Sequence, residues 1–276
     1  MSDAPDRAVA RAGTQTDAPA GPGAPAGAAR TDTGPRTAVL GGPPPGHGAA
    51  PENLRTPYRS MPDAERSALW RQRLHEAESG LTRFLASRGE EIHLTDWFAL
   101  QAEIFADLPA PAAAPDAWQR IFFRGQALME RFLLARFGEE VLADWARAIA
   151  EVHRLVEPDH GRGAADPIHR IARQAELYGS DYEFDDDAPP AAEHAALTIT
   201  HCSIWDYREK ARRGGVRLTL ASPCTYCTEA LSANIAAKGY RPAHRLRSGP
   251  TGHGCRWEAT DPAAPAPTAP LTSDDL

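Results

Sequence analysis

The sequence predicts an α+β fold: a helical N-terminal half, then a small antiparallel-sheet and helix half, with disordered termini. Three observations carry this. Apolar residues recur at helical spacing from Ser60 to Tyr178. Beyond Gly179 the period changes to alternation in Tyr182-Glu183-Phe184 and Leu197-Thr198-Ile199-Thr200. The 25 Pro and 22 Gly are concentrated toward the ends.

Residues 1–53 form an Ala/Pro/Gly-rich tail with runs such as Gly41-Gly42-Pro43-Pro44-Pro45-Gly46. Such a stretch holds too few large apolar side chains to offset the entropy of ordering it. Residues 261–276 read the same way. Between the tails lie a helical region, 54–179, and a cysteine-containing α+β region, 180–260.

In chain order, Ser60-Met61-Pro62-Asp63 reads as a helix start, with a hydroxyl cap, an early proline and an acid three residues on. Trp70, Leu74, Leu81, Phe84 and Leu85 then share a face as far as Gly89. A second helix is expected after Thr95, carrying Trp97, Phe98, Ile104 and Phe105. After a Pro/Ala loop from Asp107 to Pro115, Trp118, Phe122, Met129, Leu133 and Phe137 mark a long helix that Gly138 ends. Val141, Trp145, Ile149 and Val152 carry the next. Asp166-Pro167 reads as a cap and first-turn proline for a helix running to Tyr178. In the second half, Trp205–Arg213 and Pro223–Lys238 are expected as helices, the latter closed by Gly239. Residues 241–247 and 253–259 form a hairpin around Ser248-Gly249-Pro250-Thr251-Gly252. Core packing is the ordinary role for the aromatic stripes, and a solvated loop for Asp185-Asp186-Asp187.

The net charge is −7 with basic and acidic residues interspersed, which speaks against a nucleic-acid face. No apolar run approaches the roughly 20 residues that span a bilayer. No apolar h-region opens the chain, so a cytoplasmic protein with reduced thiols is expected, without membrane or nucleic-acid partners.

All four cysteines, Cys202, Cys224, Cys227 and Cys255, fall in the last third. Three chemistries compete for them. They are small buried hydrophobes; or a four-thiolate set for zinc or an iron–sulfur cluster, with Cys224 and Cys227 supplied by one Cys-x-x-Cys turn; or they include a reactive thiol. Cys224, at an expected helix N-terminus, suits the last role, because unpaired N–H groups and the helix dipole favour a thiolate. Strand alternation puts His253 on the same face as Cys255, and His201 on the opposite face from Cys202, so His253 is the preferred proton carrier. Asp206 and Glu209 are acids or orienters, or simply surface groups. Arg245 and Arg247 are candidate binders of a substrate carboxylate.

Leu197 to Cys202, an aromatic-bearing helix, Cys224 opening the next helix, and Gly252-His253-Gly254-Cys255-Arg256-Trp257 together resemble the L-2-amino-thiazoline-4-carboxylic acid hydrolase family over about residues 180–259. The resemblance implies a cofactor-independent hydrolase acting on a C–N or C–S bond of a small cyclic amidine-like compound, in specialised metabolism. Carried onto these residues, Cys224 is the nucleophile, His253 moves protons, and Cys202 and Cys255 complete the pocket. The family commonly has Asp where this chain has Cys227. That departure strengthens the alternative of a four-cysteine metal- or iron–sulfur-binding module with a sensing or scaffold role.

Overall fold

A computed structural model describes residues 61–89, 91–185, 192–249 and 252–264. The tail 1–53 and residues 265–276 lie outside the described residues, as do Ser60 and Asp186-Asp187.

Five helices make the first half: α1 (Asp63–Ser87), α2 (Glu91–Phe105), α3 (Pro115–Phe137), α4 (Leu142–Val156) and α5 (Ala165–Tyr178). A single 3-10 turn, Glu139–Val141, joins α3 to α4. The second half runs β1 (Asp181–Phe184), β2 (His194–His201), α6 (Ser203–Arg213), α7 (Cys224–Ala237), β3 (Arg241–Gly249) and β4 (Gly252–Thr260). The α+β class read from the sequence is therefore the observed one. No helix among the described residues is long and apolar enough to cross a membrane.

The helical core is what the aromatic stripes build. Trp70, Leu74, Leu81 and Leu85 of α1 meet Trp97 of α2, Met129 and Leu133 of α3 and Trp145 of α4, all removed from solvent. Each large side chain of this kind contributes about 1.5–3 kcal/mol by leaving water. α1 and α4 cross closely at Gly80, where a side chain would run into the backbone and side chain of Ile149.

Several helix boundaries differ from the sequence expectation. α2 begins at Glu91, so Thr95 lies inside it; its position is fixed by burial of Trp97, whose Nε1–H donates to Thr82 Oγ1 at 2.7 Å. Pro62 itself is the N-cap of α1, and its carbonyl accepts from the Arg66 N–H at 2.9 Å. α5 opens at Ala165, one residue ahead of the expected cap. Asp166 instead turns its carboxylate back onto the loop, accepting from the backbone N–H groups of His160 and Arg162 at 3.0 and 3.3 Å.

The sheet is wholly antiparallel, in the order β1-β2-β4-β3. Alternation gives it one apolar face. Ala195, Leu197 and Ile199 of β2 and Cys255, Trp257 and Ala259 of β4 pack on Ile168 and Ile171 of α5 and Leu231 and Ile235 of α7. The other face is polar: Arg256 bridges Asp185 at 2.5 Å and Glu258 at 2.9 Å. β2 and β4 approach tightly at Gly254, where a Cβ would collide with the Ile199 carbonyl oxygen. α7 packs on the sheet and also, through Ala233, on Ala146 and Ala150 of α4. It is thus the element that both halves share.

Candidate functional site

Four local features bring the cysteines together. β2 ends at His201, and Cys202 is the N-cap of α6 rather than a strand residue. Its N–H donates to the His253 carbonyl at 2.8 Å, tying the start of α6 to β4. α7 opens at Cys224, so Cys224 and Cys227 occupy its first turn. Cys255 sits on the inner face of β4, opposite Leu246 of β3. All four thiols, with His253, Trp205, Leu246 and Trp257, line one small pocket of about 30 Å³.

Their environments are not equal. Burial raises every one of the four thiols above the ordinary range. Cys255 is pushed up to about 12 even though the Trp257 indole N–H, 3.1 Å away, donates to its sulfur. Cys227 rises well above the ordinary value, through burial and then the neighbouring sulfurs. At Cys202, backbone N–H groups of Trp205 and Ile204 directed at the sulfur oppose the desolvation. At Cys224 a hydrogen bond with the Ser222 hydroxyl does so. The helix N-terminus was expected to hold Cys224 as a thiolate. Burial outweighs it, and the thiol lies above its ordinary value.

His253 is pinned. Its ring lies against Trp205, centroids 3.5 Å apart at 28°, and its Nδ1 is 3.1 Å from Ser248 Oγ. It is the sole imidazole in the pocket lining among the described residues. His201 points elsewhere, to Asp206 at 2.7 Å and Asp181 at 3.7 Å. Glu209, half-buried on α6, is paired with Arg212, and His253 is close enough to act on its carboxylate. Arg245 and Arg247 do not join the thiols. Their strand neighbours His244, Leu246 and Ser248 stand opposite Trp257, Cys255 and His253, so alternation turns both arginines to the other face of the sheet.

The same four thiols bear on a metal. They share a pocket, yet among the described residues no group of three or more His, Cys, Asp or Glu side chains is placed to hold a metal ion. Zinc at Zn–S about 2.3 Å requires sulfurs converging on one point, whereas Cys255 Sγ is engaged by an indole N–H.

A larger space adjoins this pocket. A cavity of about 460 Å³ lies between α1, α3, α4, α5, α6 and α7, in the size range of small-molecule sites. Its walls are largely apolar and aromatic, including Phe122, Phe123, Tyr178, Tyr207 and Tyr226. Ile204, Pro223 and Cys227 belong to both linings and form the wall between cavity and thiol pocket. At the other end Arg73, His153 and Asn234 belong to a buried polar network. Arg73 binds Glu76 at 2.6 Å and Glu157 at 2.5 Å, and Arg170 binds Glu157 at 2.7 Å. His153 joins Glu76 at 3.0 Å to Asn234 at 2.7 Å.

This cavity is not legible in the sequence. Its lining comes from helices far apart in the chain, and Phe122 and Tyr178 carry the same spacing as ordinary core residues. The one usable signal was the density of arginine on α3, at Arg120, Arg124 and Arg131.

No protein-family model, curated protein or solved structure matches this chain.

Proposed function

We propose that this chain is a cysteine-dependent hydrolase acting on a C–N or C–S bond of a small cyclic amidine-like compound, in line with the resemblance of residues 180–259 to 2-amino-thiazoline-4-carboxylate hydrolases. The observation that supports it is the common wall. A pocket holding four thiols and one histidine lies against a ligand-sized cavity, with Cys227 in both linings. The thiol pocket alone, at about 30 Å³, has room for little more than a water or two. The body of a substrate therefore sits in the cavity and presents its ring toward the wall of Ile204, Pro223 and Cys227.

Because burial keeps the thiols protonated near neutrality, the nucleophile needs a base at the moment of attack. His253 is the group suited to that role. It takes the Cys224 proton as the sulfur adds to the amidine carbon, and returns it to the departing nitrogen or sulfur as the ring bond breaks. Water then adds to the S-linked carbon, gives its proton to His253, and the C–S bond to Cys224 breaks with the proton restored to the thiol. The Cys224 and Thr225 N–H groups already donate to Ser222, which leaves those of Tyr226 and Cys227 in the first turn of α7 as the donors for the developing negative charge.

The test is ring opening of a series of 2-amino-thiazoline and related cyclic amidine carboxylates, followed by mass spectrometry. Turnover by the intact chain and its loss in Cys224→Ser are expected. Full turnover in Cys224→Ser would overturn the nucleophile assignment, and no turnover of any cyclic amidine by the intact chain would overturn the activity.

A further inference from the structure

The 460 Å³ cavity has a charge pattern that its apolar walls do not require. Six arginines line it, Arg73, Arg120, Arg124, Arg131, Arg208 and Arg217, against one carboxylate, Glu130. Arg73 is already held by Glu76 and Glu157, so the local excess of positive charge, in a chain whose net charge is −7, comes from the other arginines. Glu130, only 1% exposed, is already neutralised by Arg208 at 2.7 Å. At the mouth Arg120 and Arg124 are exposed and answered by Asp116 at 3.7 Å and Glu103 at 2.9 Å. Arg131 and Arg217 are exposed too and have no ion-pair partner among the described residues. Inside, Gln126 has a buried Nε2 that makes no close hydrogen bond and has the Tyr226 hydroxyl as its nearest acceptor, so a stronger acceptor can take the donor over. An uncommitted buried donor is costly unless something accepts from it.

We infer that this cavity binds a small organic anion with a flat apolar body, an aryl carboxylate of about two fused rings. The rings lie among Phe122, Phe123 and Tyr226. The carboxylate accepts from Gln126 Nε2 and from the donors that Arg208 does not give to Glu130, while Arg131 and Arg217 draw the anion in. Charged donors in a partly desolvated site bind a carboxylate strongly, and mouth charges act mainly on encounter. Two fused rings with a carboxylate suit a cavity of this size better than a single five-membered ring does. The inference deepens the proposed function by giving the cyclic amidine substrate a fused aryl carboxylate body, and rests on that reading only for the cavity being the substrate's seat.

The experiment is isothermal titration of the full chain with 2-naphthoate and with neutral 2-naphthamide. Saturable binding of naphthoate, at least about tenfold tighter than the amide, is expected. The Arg131→Glu, Arg217→Glu double variant should lose about tenfold or more in affinity at low salt, and the loss should shrink as salt is added. Ala230→Phe and, separately, Ala127→Phe fill the cavity from α7 and from α3 and should abolish binding; two variants guard against one of them failing to fold. Equal binding of acid and amide, no saturable binding, or affinity indifferent to both the charge reversal and the filling would overturn the inference. Naphthoate binding without turnover of any amidine would sink the hydrolase reading and leave this one standing. Cys224-dependent turnover without anion binding would do the reverse.

Discussion

The Trp205 indole lies flat on the His253 imidazole, and Ser248 Oγ holds the ring from the side at 3.1 Å. Trp205 comes from α6 and His253 from β4, so the ring is oriented by two elements that meet through the Cys202 N–H bond to the His253 carbonyl. On the proposed function, the imidazole fixed in this way is the proton carrier of the thiol pocket. His253→Ala should lower kcat on a cyclic amidine about a hundredfold or more, the usual contribution of a general acid–base. Trp205→Leu should cost less, about tenfold, with KM little changed, since it removes orientation and not the proton carrier. Steady-state kinetics of the two variants decide it; equal losses would mean Trp205 shapes the pocket instead of the ring.

The thiols make a second prediction. Because burial holds all four above the ordinary range, each should react with iodoacetamide at pH 7.5 more slowly than free cysteine, by about tenfold or more. Cys227 and Cys255, the most strongly raised, should be last, and Cys202 and Cys224, the less strongly raised pair, first. Peptide mapping of anaerobically purified protein gives the order. All four should titrate without chelator. About one zinc per chain by elemental analysis, with thiols released only by chelation, would instead establish the four-thiolate alternative.

The sequence made the order and class of elements legible because its signals are local: helical period, Gly138 and Gly179 as stops, and alternation in β2 and β4. The pairing of His253 with Cys255 on one face followed from the same period. Arg245 and Arg247 show where locality ends. Arginines two apart on a strand share a face, but which face meets the thiols is set by the Leu246–Cys255 register, which is a tertiary fact. Thr95 misled because a mid-helix threonine carries the same signal as a cap, and burial of Trp97 overrode it. Cys224 misled in a different way: the helix N-terminus was read correctly, while the desolvation that cancels its effect depends on the sheet packed over it.

Gly254 offers a test of the site that does not depend on activity. A Cβ there would meet the backbone of Ile199 and Thr200, which cannot move aside without breaking the β2–β4 ladder. Gly254→Ala should therefore destabilise the protein by about 3 kcal/mol or more, in the range of overpacked core sites. Gly249→Ala, at the hairpin end with nothing within contact distance, serves as the control. Chemical denaturation of the two variants gives the comparison, and matching midpoints would show that β2 and β4 can spread apart at Gly254.

The buried network behind the cavity predicts how stability depends on pH. Arg73 and Arg170 balance Glu76 and Glu157 in charge, so the ring of His153 is left to be neutral, and burial with nearby Arg170 lowers it below its ordinary 6.5. Glu76 and Glu157 are likewise held below the carboxylate range; burial works the other way, but the Arg73 guanidinium beside both of them outweighs it. A group whose pKa is lower folded than unfolded takes up protons more readily when unfolded, so its stabilisation is full above the unfolded value and lost as pH falls toward the folded one. All three groups act with this sign. Tm should be level from about pH 7 to about 8, begin to fall below about 6.5 as His153 is asked to charge, and fall more steeply below about 4.5 as the two glutamates protonate; above about 9 it should fall again, because the buried thiols ionise more readily when unfolded. A neutral His153 donates from Nε2 to Glu76 and accepts at Nδ1, which requires the Asn234 amide to turn its NH₂ toward the ring. His153→Gln, which can keep a donor toward Glu76 but cannot titrate, should shrink the upper step, to which His75 also contributes, and leave the lower one in place. An unchanged upper step in that variant would assign it to another histidine.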